Sequence, residues 1–562
     1  MRRFFAAAVI LSVPSLAFSQ PPRDNSARPA AQTGTAIIRG RVVAGDSGKP
    51  LRRVRILATA PELGGEPRNT STDADGRYEI TGLPAGLYNL RVTRSGYLTL
   101  NYGQRRPLEQ GRPLQVLDAA TVDHVDFVLP RMGVITGRVL DDNNEPIEGV
   151  SLFALREMYF NGRRQFVPTG APQVRTDDAG QYRLLGLAPG AYIVKAETRE
   201  TWTVSASSGT QVMGYAPTYF PGTTSMIQAR KVTVRLGQES INTDFALMPG
   251  RAASISGRAV DSRGRPFQNV SVSREIRGDD FGSFGTIATG AVAADGAFTI
   301  RNVPPGEYML GTSTGRDSAD PEVAMMPITV DGTDIDNVSL IGSGGGMVSG
   351  QIVTEEGAIP AIPRLRVMVA EFATGQPSPM VLGAFRNAGS SEVGQDGTFS
   401  IKGVFGRSRL RLLALPETWA VKAALHDGRD IAEAPIELRS GEALSGVQIV
   451  LTTRITTLSG QLADAKGAPT GDGTVVVFST DEQKWTDSSR FVRAARPDQQ
   501  GAWRIKGLPA GEYFAVALEA VEQGQWYEAE FLEAIRRYAQ KVQLADGGSE
   551  AIGLRLVTME RQ

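Results

Sequence analysis

Asp75-Gly76-Arg77-Tyr78, separated by three residues from Gly82-Leu83-Pro84-Ala85-Gly86-Leu87-Tyr88, reads as two turns feeding two strands. Asp-Gly between alternating runs supplies the positive-φ corner of a tight hairpin. The tyrosine after it starts a strand and points one way while its charged neighbours point the other. In the second piece Pro84 fixes φ at the first turn corner and Gly86 is expected to take the left-handed one. Tyr88, two residues on, is placed to close the end of a core.

The pattern recurs. An opening strand at Gly40-Arg41-Val42, with a turn proline at Pro50, returns at Gly137-Arg138-Val139 with Pro146 and at Gly257-Arg258-Ala259 with Pro266. It returns again at Gly350-Gln351-Ile352 with Pro360 and at Gly460-Gln461-Leu462 with Pro469. The second marker follows each time, at Ala179-Gly180-Gln181-Tyr182, Asp295-Gly296-Ala297-Phe298, Asp396-Gly397-Thr398-Phe399 and Gln500-Gly501-Ala502-Trp503. The third marker repeats at 186–192, 303–308 and 507–513, and degrades in the fourth copy to Gly403-Val404-Phe405-Gly406. Alternating strands at 125–129, 243–247, 335–340, 447–451 and 552–557 close the copies. Three ordered markers in five copies define a repeat. Each copy is long enough to bury its own apolar faces, so the expected fold is all-β: five tandem antiparallel β-sandwiches rather than a solenoid. The expected division is 35–130, 131–250, 251–343, 344–455 and 456–562, with Gly342-Ser343-Gly344-Gly345-Gly346 as the joint between the third and fourth.

Short helices are expected only in loops. The clearest is 528–539, where Phe531, Ile535 and Tyr538 recur at helical spacing with acidic residues early and Arg536 and Arg537 late. Weaker candidates lie at 419–425 and 226–231.

Ahead of the repeat, Met1-Arg2-Arg3 precedes an apolar run from Phe4 to Leu11 and the small-residue end Ala17-Phe18-Ser19. This reads as a cleavable secretory signal over 1–19, too short for a membrane span. Residues 20–34, polar and proline-rich, read as a flexible leader. The expected location is therefore periplasmic or extracellular.

Composition narrows the chemistry. Of 562 residues, 60 are Lys or Arg and 60 Asp or Glu, which gives no bulk attraction to nucleic acid. There is no cysteine, so disulfides, thiolate nucleophiles and thiolate-bound metals are excluded. The two histidines, His124 and His426, stand alone in different units. The Asp73-Ala74-Asp75-Gly76 stretch lacks the later ligands of a calcium loop and reads as a turn. The glycines at 342–346 have neither the helix nor the lysine of a phosphate cradle. No catalytic residue, cofactor or metal is expected.

The run Thr72-Asp73-Ala74-Asp75-Gly76-Arg77-Tyr78, then Gly82-Leu83-Pro84-Ala85-Gly86-Leu87-Tyr88, behind the glycine–proline opening, resembles the carboxypeptidase regulatory-like domain. That resemblance implies a transthyretin-like, prealbumin-type sandwich, close to starch-binding-like and collagen-adhesin modules, and it spans residues 35–560 as five copies. It implies a non-catalytic accessory module of the kind attached to peptidases, outer-membrane receptors and adhesive surface proteins. The zinc-binding catalytic domain of the metallocarboxypeptidases has no counterpart here. The segment 215–223 resembles one common in large secreted proteins of this type from soil bacteria.

The leading expectation is a non-enzymatic secreted scaffold, an elongated rod presenting loops to a polysaccharide or a cell-surface or outer-membrane protein. The alternative is a dedicated carbohydrate-binding protein. Its ligand platform would be Tyr215, Tyr219 and Phe220, stiffened by Pro217 and Pro221, together with Trp202. A carboxylate-dependent hydrolase is a third and weaker option.

Overall fold

A computed structural model describes residues 34–64, 66–104, 109–160, 162–169, 174–206, 209–275, 284–314, 321–371 and 389–558. The expected signal, and the leader up to residue 33, lie outside them. In the first unit the opening strand Ala36–Ala44 pairs antiparallel with Arg77–Leu83 on one side. On the other side it pairs parallel with the closing strands Thr121–Val122 and Phe127–Leu129. A second sheet, Arg68–Ser71, Arg55–Thr59, Gly86–Thr93 and Leu100–Asn101, with Leu114–Val116 also on Gly86–Thr93, faces the first. Between the sheets lies a core that includes Ile38, Val42, Ile56, Tyr88 and Leu90.

All five units repeat this plan, each with its own core. One sheet of each sandwich is thus mixed, not purely antiparallel. The closing strand crosses the end of the sandwich and re-enters beside the opening strand in the same direction. In the fifth unit Ala517 and Leu518 also pair with Leu556 and Val557, which merges the two sheets into one of seven strands.

The glycine that opens every unit has a steric cause. Gly40, Gly137, Gly257, Gly350 and Gly460 lie opposite Tyr78, Tyr182, Phe298, Phe399 and Trp503, the aromatics of the second marker. A Cβ at any of the five would sit well inside 3.0 Å of a closing-strand carbonyl oxygen: that of Val125, Thr243, Val338, Val447 or Ile552. The ring covers the space the missing side chain leaves. In the first two units the ring also donates to the same carbonyl, Tyr78 Oη to Val125 O at 2.7 Å and Tyr182 Oη to Thr243 O at 2.7 Å. Phenylalanine cannot do this in the third and fourth. Trp503 Nε1 is buried with no hydrogen-bond partner among the described residues.

The third marker also becomes explicit. Tyr88, Tyr192, Tyr308 and Tyr513 are buried, and each hydroxyl donates to the carbonyl four residues upstream, on Pro84, Ala188, Pro304 or Pro509. The degraded fourth copy has Ser408 at this place, and its hydroxyl donates to Phe405 O at 2.9 Å. The left-handed corner lies at Gly82 (φ 73°), not at Gly86 as expected. The third unit puts Asn302 there at φ 59°, a residue whose short polar side chain tolerates this region. In the turns of the second marker Asp73 Oδ1 accepts from the amides of Asp75 and Arg77, which occupies the carboxylate locally.

These buried phenols carry a pH dependence. Burial, reinforced by Glu62, pushes Tyr88 up to about 12, and burial pushes Tyr215 up to about 12 as well. Tyr78, Tyr182 and Tyr513 move up for the same first reason. Folding therefore favours their protonated forms, and this stabilisation is complete below the ordinary tyrosine value of about 10. It falls away as pH rises through about 12. Alkaline titration followed by phenolate absorbance and circular dichroism should show these rings ionising only as β-structure is lost. Complete ionisation with the dichroism unchanged would refute the burial.

One α-helix, Ala529–Arg536, forms among the described residues, inside the expected 528–539. Its Phe531, Leu532 and Ile535 pack with Phe478, Trp485 and Trp526 on the outer face of the fifth sandwich, so its sheet is covered on both faces. The 226–231 candidate is a 3-10 turn, Met226–Gln228. The 419–425 candidate is instead the strand Ala420–His426, paired with Ala443–Thr452. Helix-forming alanines and a lysine there give way to the sheet partner, as weak propensity does before tertiary pairing.

Candidate functional site

The expected aromatic platform is not on the surface. Tyr215 lies in the strand Gly209–Ala216, paired with Met248–Arg251, and its ring stands 4.6 Å from that of the half-buried Trp202. Phe220 packs edge-on against Phe245 at 6.0 Å under the Arg230 guanidinium. Tyr219 lies with Leu155 and Ile193. Tyr215, Tyr219 and Phe220 are 6%, 9% and 4% exposed. The structure brings Tyr215 and Trp202 together, but as cover for the second core, and turns Tyr219 to a separate cluster. Proline-stiffened aromatics read alike in sequence whether they cap a sandwich or present a face. Phe220→Ala should then act on stability, lowering it by about 3–5 kcal/mol in a thermal melt of that unit. An unchanged melt would return the ring to the surface.

The histidines stay apart, His124 at a left-handed position before the closing strand and His426 with Asp427 Oδ2 3.7 Å from Nδ1.

The charged residues converge elsewhere. Arg490, on a loop of the fifth sandwich, donates to the carbonyls of Val421 (2.9 Å) and Lys422 (2.8 Å) and to Asp430 Oδ2 (2.8 Å) in the fourth. Arg409 and Arg411 of the fourth reach back to the carbonyls of Asp487 and Ser488. Glu433 stands among all three guanidiniums, 3.6–3.7 Å from each. Burial pushes Arg409 and Arg411 down from the usual arginine range, against the pull of Glu433 and Asp487. The fifth sandwich also meets the first, where Arg496 Nη1 lies 2.6 Å from Glu109 Oε1 with side chains only 2% and 9% exposed. The Gln499 side-chain amide also accepts from the Gln115 main-chain N–H and donates to the Gln115 carbonyl. The hairpin Ser151–Phe160/Arg163–Pro168 of the second sandwich presses Tyr159 and Gly162 against Gly524 and Tyr527 of the fifth. The last unit thus docks on three others, and the expected rod does not form. Alternating patterns show which residues face a core. They do not show which arginines face another domain.

Between the first, fourth and fifth sandwiches this docking leaves a cleft of about 770 Å³. Its floor continues the fourth core, with Leu412, Trp419, Val421 and Ile449. Arg493, Arg504 and Lys506 stand on its fifth-sandwich wall, and Glu62 and Leu87 on its first-sandwich wall. The Arg493 side chain donates to two main-chain carbonyls, while the side chains of Arg504 and Lys506 have no hydrogen bond or ion pair among the described residues.

The architecture is that of an all-β protein of tandem sandwich domains. Residues 37–130, nearly all of the first sandwich, match the model of the carboxypeptidase regulatory-like domain. No curated protein matches the chain in sequence. Among solved structures it is similar to a minor pilin of Streptococcus agalactiae (11% identity, TM-score 0.22, 38% of this chain and 95% of that one). It is also similar to the shaft pilin of Lactobacillus rhamnosus (15%, 0.19, 39% and 98%) and to the TIE protein of Bacillus anthracis (10%, 0.15, 76% and 74%).

Proposed function

We propose that the protein is a non-enzymatic, exported scaffold that holds five sandwich domains, with the limits 35–130, 131–250, 251–343, 344–455 and 456–562, in fixed register for a cell-surface or protein partner. The observation that carries this reading is the docking of the fifth sandwich on the first and fourth through charged side chains and on the second through close packing. Tandem domains move by default unless their interfaces are substantial. Here the chain's end is fastened back to its beginning. The signal-like start and the regulatory-like first domain support export and an accessory role. No helix among the described residues is long and apolar enough to cross a membrane. Fractionation of expressing cells with cross-linking in place, followed by broad hydrolase profiling of the purified chain, tests the reading. It expects an exported protein joined to one envelope partner and no hydrolytic rate. A reproducible rate abolished by a single carboxylate substitution would overturn it.

A further inference from the structure

In the repeat, the strand after the third marker is flanked along its second half. Leu100–Asn101 covers it in the first unit, Thr218–Tyr219 in the second and Val323–Val330 in the third, and the end of Ser549–Val557 does so in the fifth. In the fourth unit the flanking strand Ile436–Glu437 reaches only Arg407 and Ser408 of Arg407–Leu413. The other side of that strand pairs in full with Arg366–Glu371. Beyond Ser408 the outer edge, Leu410 to Leu412, has no main-chain partner among the described residues and borders the cleft instead, the Leu410 carbonyl accepting from Arg411 Nη1 at 3.0 Å.

We propose that this cleft takes an extended peptide segment of a partner protein, added as a strand along Leu410–Leu412, with alternating apolar and acidic side chains. An open strand edge offers main-chain donors and acceptors at fixed spacing, which an extended chain satisfies and a sugar or an acyl chain does not. Three residues of strand span about 10 Å. Period-two alternation turns one set of side chains to the floor of Leu412, Trp419, Val421 and Ile449 and the other outward. Arg493, Arg504 and Lys506, none with a carboxylate partner, ask for acidic residues on the fifth-sandwich side. Glu62 and Glu417 on the remaining rim disfavour a uniformly acidic chain, which is why apolar residues alternate. This inference deepens the scaffold reading by naming a partner class. It fails separately, because loss of peptide binding leaves the export and cross-linking result untouched.

The test uses the full chain and a capped synthetic pentapeptide alternating valine and glutamate. Calorimetry should show one saturable site, and amide exchange should slow within residues 410–412. A version N-methylated at alternate amides should not bind, and one with lysine in place of glutamate should bind at least about tenfold more weakly, a loss of about 1.4 kcal/mol. The variant Arg493→Gln/Arg504→Gln/Lys506→Gln, on exposed or half-buried positions, should show the same loss with an unchanged melt. If it fails to fold, the N-methylated peptide alone settles the matter. Equal binding of the N-methylated peptide, or saturation by a long-chain fatty acid or a galacturonate oligomer but not by the peptide, would overturn the proposal. So would no binding at all.

Discussion

Gly460→Ala is expected to unfold the fifth sandwich, or to cost it about 4 kcal/mol or more, the range reserved for severe steric or core defects. Two rigid obstacles converge on the new methyl group. The Ile552 carbonyl belongs to a strand that pairs with Thr457–Ala463 over seven residues, and Trp503 Cζ2 stands 2.8 Å away on the other side. Neither is the free end of a flexible side chain, so the clash can relax only by parting the parallel strands. A matched control lies on the same pair of strands. Gly553 faces Gln461 with open space at its Cβ position, and Gly553→Ala should be neutral or slightly stabilising. Urea melts read by tryptophan fluorescence, with limited proteolysis to locate the unfolded unit, check both. A multidomain chain need not melt in one step, so the comparison is made on the fifth unit's transition. If both alanines behaved alike, close approach would not be the reason for the repeated glycine.

Glu109→Gln should cost about 3–5 kcal/mol at the junction of the first and fifth sandwiches. The pair it breaks is buried, yet Arg496 Nε, Nη1 and Nη2 have no well-directed hydrogen bond among the described residues. Proximity without alignment returns little of the desolvation cost, so the intact pair stabilises weakly while a lone Arg496 charge is severely unfavourable. The double change Glu109→Leu/Arg496→Leu is therefore expected to recover most of the loss. Small-angle scattering should show the single variant expanded as the fifth sandwich lifts away, and the double variant close to the parent. A double variant as expanded as the single one would mean that the ion pair itself holds the junction.

The strands were legible because their causes are local. Asp-Gly corners, the Pro-Gly marker and period-two alternation each specify a short piece of backbone, and five copies in one order exclude coincidence. The opening glycines were visible as markers, but their reason was not. It lies in a carbonyl some 80–110 residues away, such as that of Val125 or Ile552. Tyr215, Tyr219 and Phe220 misled because loop-like sequence between repeats said nothing about the direction their rings would face. The strand at Ala420–His426 was lost to its helix-forming composition. Docking of the fifth sandwich left no trace at all, since Arg409, Arg490 and Arg496 read like the solvated arginines around them. The cleft became visible only by comparison among the folded copies, through the short strand Ile436–Glu437.

The parallel pairing of opening and closing strands has a mechanical meaning. Each unit is entered through one of these strands and left through the other, side by side and pointing the same way. Tension along the chain therefore drags the two past each other and loads every hydrogen bond between them together, instead of peeling them one by one. By that measure the units differ in grip. Four residue pairs join the strands in the second unit, and seven do so in the fourth and in the fifth. Under a pull the second unit gives way first, and the two that frame the cleft hold longest.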